Sequence, residues 1–194
     1  DREKGGEYTW VIPTDTDDGD RILIPLRKQK SLSASNFIFG TDVERPRHGP
    51  TLEGGARLDW IAGSKMDDRM FGRGGNDKLH GDEGNDYGEG DHGNDYLDGE
   101  DGNDTLLGEA GDDALEGAKG DDVLRGGDGA DKLYGGFGND TLKGGDGDDK
   151  IEGYFGSDRI DGGDGNDIIE AGSEADIVEG GQGKDQIDGG TGDD

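Results

Sequence analysis

A nine-residue repeat runs from Gly54 to Asp194 and limits, more than any other feature, what this chain can fold into. A fixed short period marks an architecture in which each repeat stacks on its neighbours and shares a continuous core with them. No insertion or deletion breaks the register. The units begin at Gly54, Gly63, Gly72, Gly81, Gly90, Gly99, Gly108, Gly117, Gly126, Gly135, Gly144, Gly153, Gly162, Ala171, Gly180 and Gly189.

Three further positions of the unit are specialised. The fourth is usually glycine: Gly75, Gly84, Gly93, Gly102, Gly111, Gly120, Gly129, Gly138, Gly147, Gly156, Gly165, Gly183 and Gly192. The sixth is always aspartate: Asp59, Asp68, Asp77, Asp86, Asp95, Asp104, Asp113, Asp122, Asp131, Asp140, Asp149, Asp158, Asp167, Asp176, Asp185 and Asp194. The eighth is apolar in every complete unit except one, where Gly88 interrupts the column.

Each preference has a physical reason. Glycine adopts positive φ and lets the backbone turn tightly with its carbonyls pointing inward. Aspartate places a hard anionic oxygen beside those carbonyls, and a lone apolar residue between polar neighbours indicates a strand with one buried face. The pattern therefore predicts a six-residue turn followed by a three-residue strand. Two units would form one coil, and stacked coils would form two parallel sheets over a thin core.

The composition indicates that such a fold needs help from a cation. Only 26% of the residues are hydrophobic, and 49 acidic residues against 20 basic ones give a formal net charge of −29, a combination typical of disordered chains. One aliphatic residue per unit does not offset the entropy of ordering so many glycines, whereas metal binding can supply folding free energy. The chain has no cysteine, which favours oxygen-liganded cations over zinc. The charge also argues against nucleic acid and anionic membranes as partners.

These units resemble the RTX (repeats in toxin) family, whose pattern is G-G-x-G-x-D-x-U-x. Gly135-Gly-Phe-Gly-Asn-Asp-Thr-Leu-Lys143 and Gly162-Gly-Asp-Gly-Asn-Asp-Ile-Ile-Glu170 match it fully. The resemblance implies an all-β, right-handed parallel β-roll with two nonapeptides per coil, in which each Ca²⁺ lies between one turn and the turn two units later. About 14 such pairs exist, and as many ions would nearly cancel the net charge. The implied ligands are the sixth-position carboxylates and the fourth-position glycine carbonyls, from Gly75 to Gly183.

Some units depart from the pattern. Arg57 and Met66 replace glycine in the first two turns, and Glu174 replaces it near the C-terminus. Residues 18 apart should stack on one sheet face, which places Glu152, Glu170 and Asp188 in one like-charged column. We therefore predict that the C-terminal coils fray first.

Residues 1–53 are a different kind of sequence. Short β-rich segments, with a degenerate repeat near residues 31–40, predict an N-terminal segment that caps or links to the roll formed by residues 54–194. The chain starts at Asp1 rather than Met, so we expect it to belong to a longer polypeptide with flanking domains.

No enzyme signature is present: we find neither H-E-x-x-H nor G-x-S-x-G, and we expect no activity in this chain. The family resemblance implies a toxin, cytolysin or related exoprotein that crosses the type I secretion machinery unfolded and folds outside the cell in Ca²⁺. Two alternatives stay open. One is an adhesin or polysaccharide-binding module that recognises a host-cell surface or glycan. The other is an appendage of a secreted protease, lipase or epimerase. An aligned aromatic row would favour the former, and the seventh positions of one sheet, from Arg69 to Ile177, contain none.

Overall fold

The computed structural model describes residues 48–192, which form sixteen β-strands. The odd-numbered strands are β1 His48–Glu53, β3 Asp67–Gly74, β5 Tyr87–His92, β7 Thr105–Ala110, β9 Val123–Asp128, β11 Thr141–Asp146, β13 Arg159–Asp164 and β15 Ile177–Gln182. The even-numbered strands are β2 Trp60–Ala62, β4 Lys78–His80, β6 Tyr96–Asp98, β8 Ala114–Lys119, β10 Lys132–Phe137, β12 Lys150–Phe155, β14 Ile168–Ser173 and β16 Gln186–Asp188.

The chain winds as a solenoid between two parallel sheets of eight strands each. One contains all the odd-numbered strands and the other all the even-numbered ones, here called the odd sheet and the even sheet. From β2 onward every paired residue lies over the residue 18 positions later, as Leu133 lies over Ile151. Two nonapeptides therefore make one coil, and the predicted all-β parallel architecture is confirmed.

The prediction of three-residue strands is wrong for most of the roll. Strands such as β7 and β9 contain six residues, covering positions seven to nine of one unit and one to three of the next, so the turns shrink to positions four to six. The strands lengthen because every coil repeats the same backbone path, which allows the glycines at the start of each unit to join the parallel ladder. Only β2, β4, β6 and β16 have three residues.

The core is a double column of eighth-position side chains, one from each sheet. Most are fully buried, from Ile61 and Leu79 to Ile169. Gly88 leaves no open gap, because a Cβ built there would lie 3.2 Å from Leu106 and 3.5 Å from Leu97. The neighbouring leucines close over the missing side chain. At the C-terminal end the column opens, and Ile187 is 47% exposed.

The odd sheet begins before the first glycine-led unit. Strand β1 pairs in parallel with β3, and Leu52 lies over Met70 and is buried. Residues 48–53, on the N-terminal side of the boundary predicted at residue 54, thus extend the core column. The rest of the predicted cap and the degenerate repeat near 31–40 lie outside the described residues, as do Asp193 and Asp194. Residues 48–192 contain no helix that could span a bilayer.

Candidate metal centres in the turns

The fourth-position glycines let successive turns approach each other closely. All those predicted as ligands, from Gly75 to Gly183, have φ between +118° and +157°, a conformation that L-residues rarely adopt. The space beside each one is filled by the turn of the preceding coil. A Cβ built on Gly93, for example, would collide with the carbonyl oxygen of Gly75. Glycine is therefore required at this position both by backbone conformation and by the stacking of carbonyls along the roll.

The sixth-position aspartates form a continuous ladder inside the turns. One carboxylate oxygen, Oδ1, accepts a hydrogen bond from the backbone N–H of the aspartate one coil earlier. This bond spans 2.7–3.1 Å at each of the thirteen such pairs of described residues, from Asp59–Asp77 to Asp167–Asp185. The ladder joins successive coils and fixes the direction in which each carboxylate points.

The second carboxylate oxygen, Oδ2, is buried and accepts no hydrogen bond in eleven of these residues. They are Asp77, Asp86, Asp95, Asp104, Asp113, Asp122, Asp131, Asp140, Asp149, Asp158 and Asp167. Their side chains are at most 3% exposed. Buried polar atoms in native proteins nearly always have a partner, and burying an unpaired carboxylate costs several kcal/mol. A row of such oxygens indicates that a cationic partner belongs in the turns.

A backbone carbonyl accompanies ten of these eleven oxygens, all except that of Asp104. A Cβ built on Gly72 would lie 2.6 Å from the Oδ2 of Asp77 and 2.9 Å from the carbonyl oxygen of Gly90, the first residue of the unit one coil later. The same pair of oxygens meets at Gly108, Gly117 and Gly135. Carboxylate and carbonyl thus converge on one point between adjacent coils, and any side chain at the first position would fill that point.

The first-position carbonyls are candidate metal ligands that the repeat pattern did not single out, because the prediction from the sequence named only the fourth-position carbonyls. The signal was present, since glycine begins every unit but one. The reason for that glycine was hidden, because the residue that shares its space belongs to a coil 18 positions away.

Burial raises the pKa of these carboxyl groups. The pKa of Asp86, Asp104 and Asp122 rises to about 7 and that of Asp77 and Asp140 to about 6. Desolvation is the largest cause, and the hydrogen bond from the preceding aspartate's N–H opposes it. Without a cation the buried turns therefore shift the equilibrium towards the protonated acid, so protons and metal ions compete for the same oxygens.

The donor set fits Ca²⁺. Carboxylate and carbonyl oxygens from two adjacent turns can together supply the six to eight hard ligands that Ca²⁺ takes in flexible geometry. Asp68 to Asp176 are buried, Asp59 and Asp185 are half-buried at the two ends, and Asp194 lies outside the described residues. The turns bring these carboxylates and the fourth-position glycines together between coils. Their role as ligands stays a prediction.

A separate cluster lies on the even sheet. His80, Asp98 and Glu100 have potential ligand atoms within 4.8 Å of one another. The Nδ1 of His80 lies 3.5 Å from a carboxylate oxygen of Asp98, and their hydrogen bond raises the pKa of the imidazole. The hydroxyl of Tyr96 donates to the same carboxylate at 3.3 Å. The histidine and Asp98 thus already have partners in each other and in Tyr96.

Together, the solenoid and its oxygen-lined turns define a calcium-binding β-roll. The RTX calcium-binding nonapeptide repeat matches residues 53–88, 81–115, 89–124, 107–142, 134–169 and 161–194. The chain belongs to this family, which is typical of secreted proteins. No curated protein matches the chain.

Proposed function

We propose that this chain is the calcium-folded export module of a secreted bacterial protein. It crosses the type I secretion machinery unfolded and folds outside the cell when Ca²⁺ fills the turns, which supports secretion and folding of the polypeptide that carries it. The family membership supports calcium binding and a secreted context. The toxin or cytolysin context and the flanking domains belong to this proposal.

The observation that carries the proposal is the row of eleven buried Oδ2 atoms without a hydrogen-bond donor. Each one costs free energy in a metal-free fold. Because the penalty recurs in coil after coil, the folded state without metal is disfavoured along the whole roll. A cation bound between coils removes the penalty from each turn and adds binding free energy that exists only in the folded state.

The ladder makes the transition cooperative. Each carboxylate receives its backbone hydrogen bond from the preceding coil, so an ordered turn positions the oxygens of the next one. In a solenoid the stability is the sum of repeat and nearest-neighbour terms. Calcium bound at one interface therefore favours binding at the adjacent interface. About 14 ions is the upper limit set by the pairs of turns, and thirteen pairs lie within the described residues.

The test is a Ca²⁺ titration followed by far-UV circular dichroism, with Mg²⁺ as control. We expect a cooperative change from coil to β-structure with Ca²⁺ alone, reversed by a chelator, and more than ten ions bound per chain by calorimetry. A β-rich spectrum in chelator, or equal folding by Mg²⁺, would contradict the proposal. The proposal also states that the chain itself has no catalytic activity. Turnover of a protease, lipase or glycosidase substrate would therefore also contradict the proposal.

A further inference from the structure

Four aromatic side chains gather on the outer face of two adjacent strands of the even sheet. Strand β10 contributes Tyr134 and Phe137, and strand β12 contributes Tyr154 and Phe155. The phenylalanine rings stack in parallel with centroids 4.9 Å apart, and the tyrosine rings lie 6.4 Å apart. Phe137 is 58% exposed, Phe155 51% and Tyr154 44%. Aromatic residues form only 6% of the chain, so a group of four, three of them exposed and Tyr134 half-buried, needs an explanation.

The backbone of Tyr154 adopts a conformation that is unfavourable for a bulky residue. It stands at the second position of its unit with φ of +74°. At the same position Gly136, Gly145 and Gly163 on neighbouring coils supply the positive φ without a side chain. A bulky residue in this region is an outlier that carries a conformational cost. The conformation is a regular feature of the coil, because Arg73, Asp82, Asp91, Glu100, Glu109 and Ala118 also have positive φ at this position of their units. Tyr154 differs from them in carrying a large ring on the surface, where core packing does not offset the cost.

The rings line a cleft of about 660 Å³, whose walls also include Glu116, Lys119 and Glu152. Its lysine and one of its two glutamates are held in ion pairs. The Nζ of Lys150 lies 2.6 Å from the carboxylate of Glu152, and that of Lys119 lies 2.6 Å from Asp101. The hydroxyl of Tyr154 also bonds Glu152. The cleft thus combines exposed ring faces with hydrogen-bonding groups of both signs, which is the chemistry of a small-molecule site.

We propose that this cleft binds a neutral glycan. The C–H face of a sugar ring would stack on the exposed aromatic rings, and its hydroxyls would bond the carboxylates and ammonium groups at the rim. Charge pairing favours this class of ligand over an anionic one: Lys119 already bonds Asp101 and Lys150 already bonds Glu152, so a carboxylated ligand would meet Glu116 without gaining a free ammonium group. The two strands lie about 5 Å apart in the sheet, so rings on both strands can contact one or two sugar units.

The test uses the full chain in Ca²⁺, with its β-spectrum recorded first, so that a failure to fold is distinguished from a failure to bind. Cellotetraose, maltotetraose and tetra-N-acetylchitotetraose, all uncharged, are titrated while tyrosine fluorescence and NMR signals of the cleft are followed. We expect one of them to bind and to perturb Tyr134, Tyr154 and Phe155. Replacing Tyr154 by Gly should weaken that binding about tenfold, the effect expected for loss of one aromatic face.

Tyr154→Gly also separates a binding role from a structural one. Glycine suits the positive φ, so the variant should be at least as stable as the parent chain. Glu109→Gly is the matched control, because Glu109 has φ of +76° on the odd sheet and lies away from the cleft; it should bind the glycan normally. Phe155→Ser, which copies Ser173 of the next coil, should bind as weakly as Tyr154→Gly.

Three outcomes would overturn the proposal. They are the absence of binding by all three oligosaccharides to the folded chain, binding that Tyr154→Gly and Phe155→Ser leave unchanged, and preferential binding of choline, which would assign the cleft to an organic cation instead.

Discussion

Replacing Asp113 by Asn should change the stability of the roll in opposite directions with and without Ca²⁺. Asp113 lies in the middle of the ladder, where its Oδ1 accepts the N–H of Asp95 at 2.7 Å and its Oδ2 has no donor. Asparagine keeps a carbonyl oxygen for the first contact. Its amide would replace Oδ2 with an N–H donor that faces the carbonyl of Gly126.

Without calcium the variant should be the more stable protein. Burial raises the pKa of Asp113 to about 7, so at pH 8 the native carboxylate is ionised in a site that disfavours its charge. Removing that charge and adding a donor to a carbonyl should stabilise the metal-free roll by roughly 1–3 kcal/mol, allowing for water that reaches the turn. With calcium in hundredfold excess over its dissociation constant, loss of one site should destabilise the roll by up to about 2.7 kcal/mol.

The assay measures unfolding under both conditions. In Ca²⁺, urea unfolding gives the free energy by linear extrapolation. In chelator, trimethylamine N-oxide drives the metal-free chain to fold, since osmolytes favour burial, and its midpoint concentration is compared between variants. Asp112→Asn is the control, because this neighbouring carboxylate is exposed and its Oδ1 only caps the N–H of Ala130 at 3.0 Å. A shift of the same sign under both conditions, or an equal effect of Asp112→Asn, would refute the assignment of Asp113 to a metal site.

Three further predictions concern pH, glycine and the end of the roll. Burial raises the pKa of Asp86 in the fold to about 7, against about 3.9 in an unfolded chain. The protonated carboxyl group therefore stabilises the metal-free fold at low pH, and this stabilisation is lost as pH rises through 7. Circular dichroism in chelator should show more β-structure at pH 5 than at pH 8, and Ca²⁺ affinity should fall when the pH is lowered from 8 to 5. Gly93→Ala should destabilise the calcium-loaded roll by more than about 1–2 kcal/mol in the same urea assay, because it adds a clash with a carbonyl to the cost of positive φ. Gly74→Ala is the control and should be tolerated, because the nearest atom to the new Cβ would lie 3.7 Å away. Amides of β15 and β16 should exchange faster with deuterium than those of β9, since Ile187 is 47% exposed and Glu170 lies beside Asp188; equal protection along the roll would contradict this.

The repeat alone determined the architecture of this protein. A period of nine with one apolar position predicts a stack of similar coils, and the aspartate and glycine positions predict a cation in the turns. The composition indicated why a cation is needed, because a chain with few apolar residues and a net charge of −29 needs a further favourable interaction to fold. Each of these inferences depends on spacing along the chain or on composition, and both are visible in the sequence.

The tertiary structure determined those features that depend on contacts between residues one coil apart. It showed that the strands include the first three positions of each unit, that the Oδ2 of Asp77 meets the carbonyl of Gly90, and that leucines close the gap at Gly88. It also brought Tyr134 and Tyr154 onto one face. These two residues occupy the ninth and second positions of different units, so no single column of the repeat contains both. Contacts between different positions on adjacent coils arise from the side-chain directions of stacked strands, and the order of residues does not reveal them until the coils are in place.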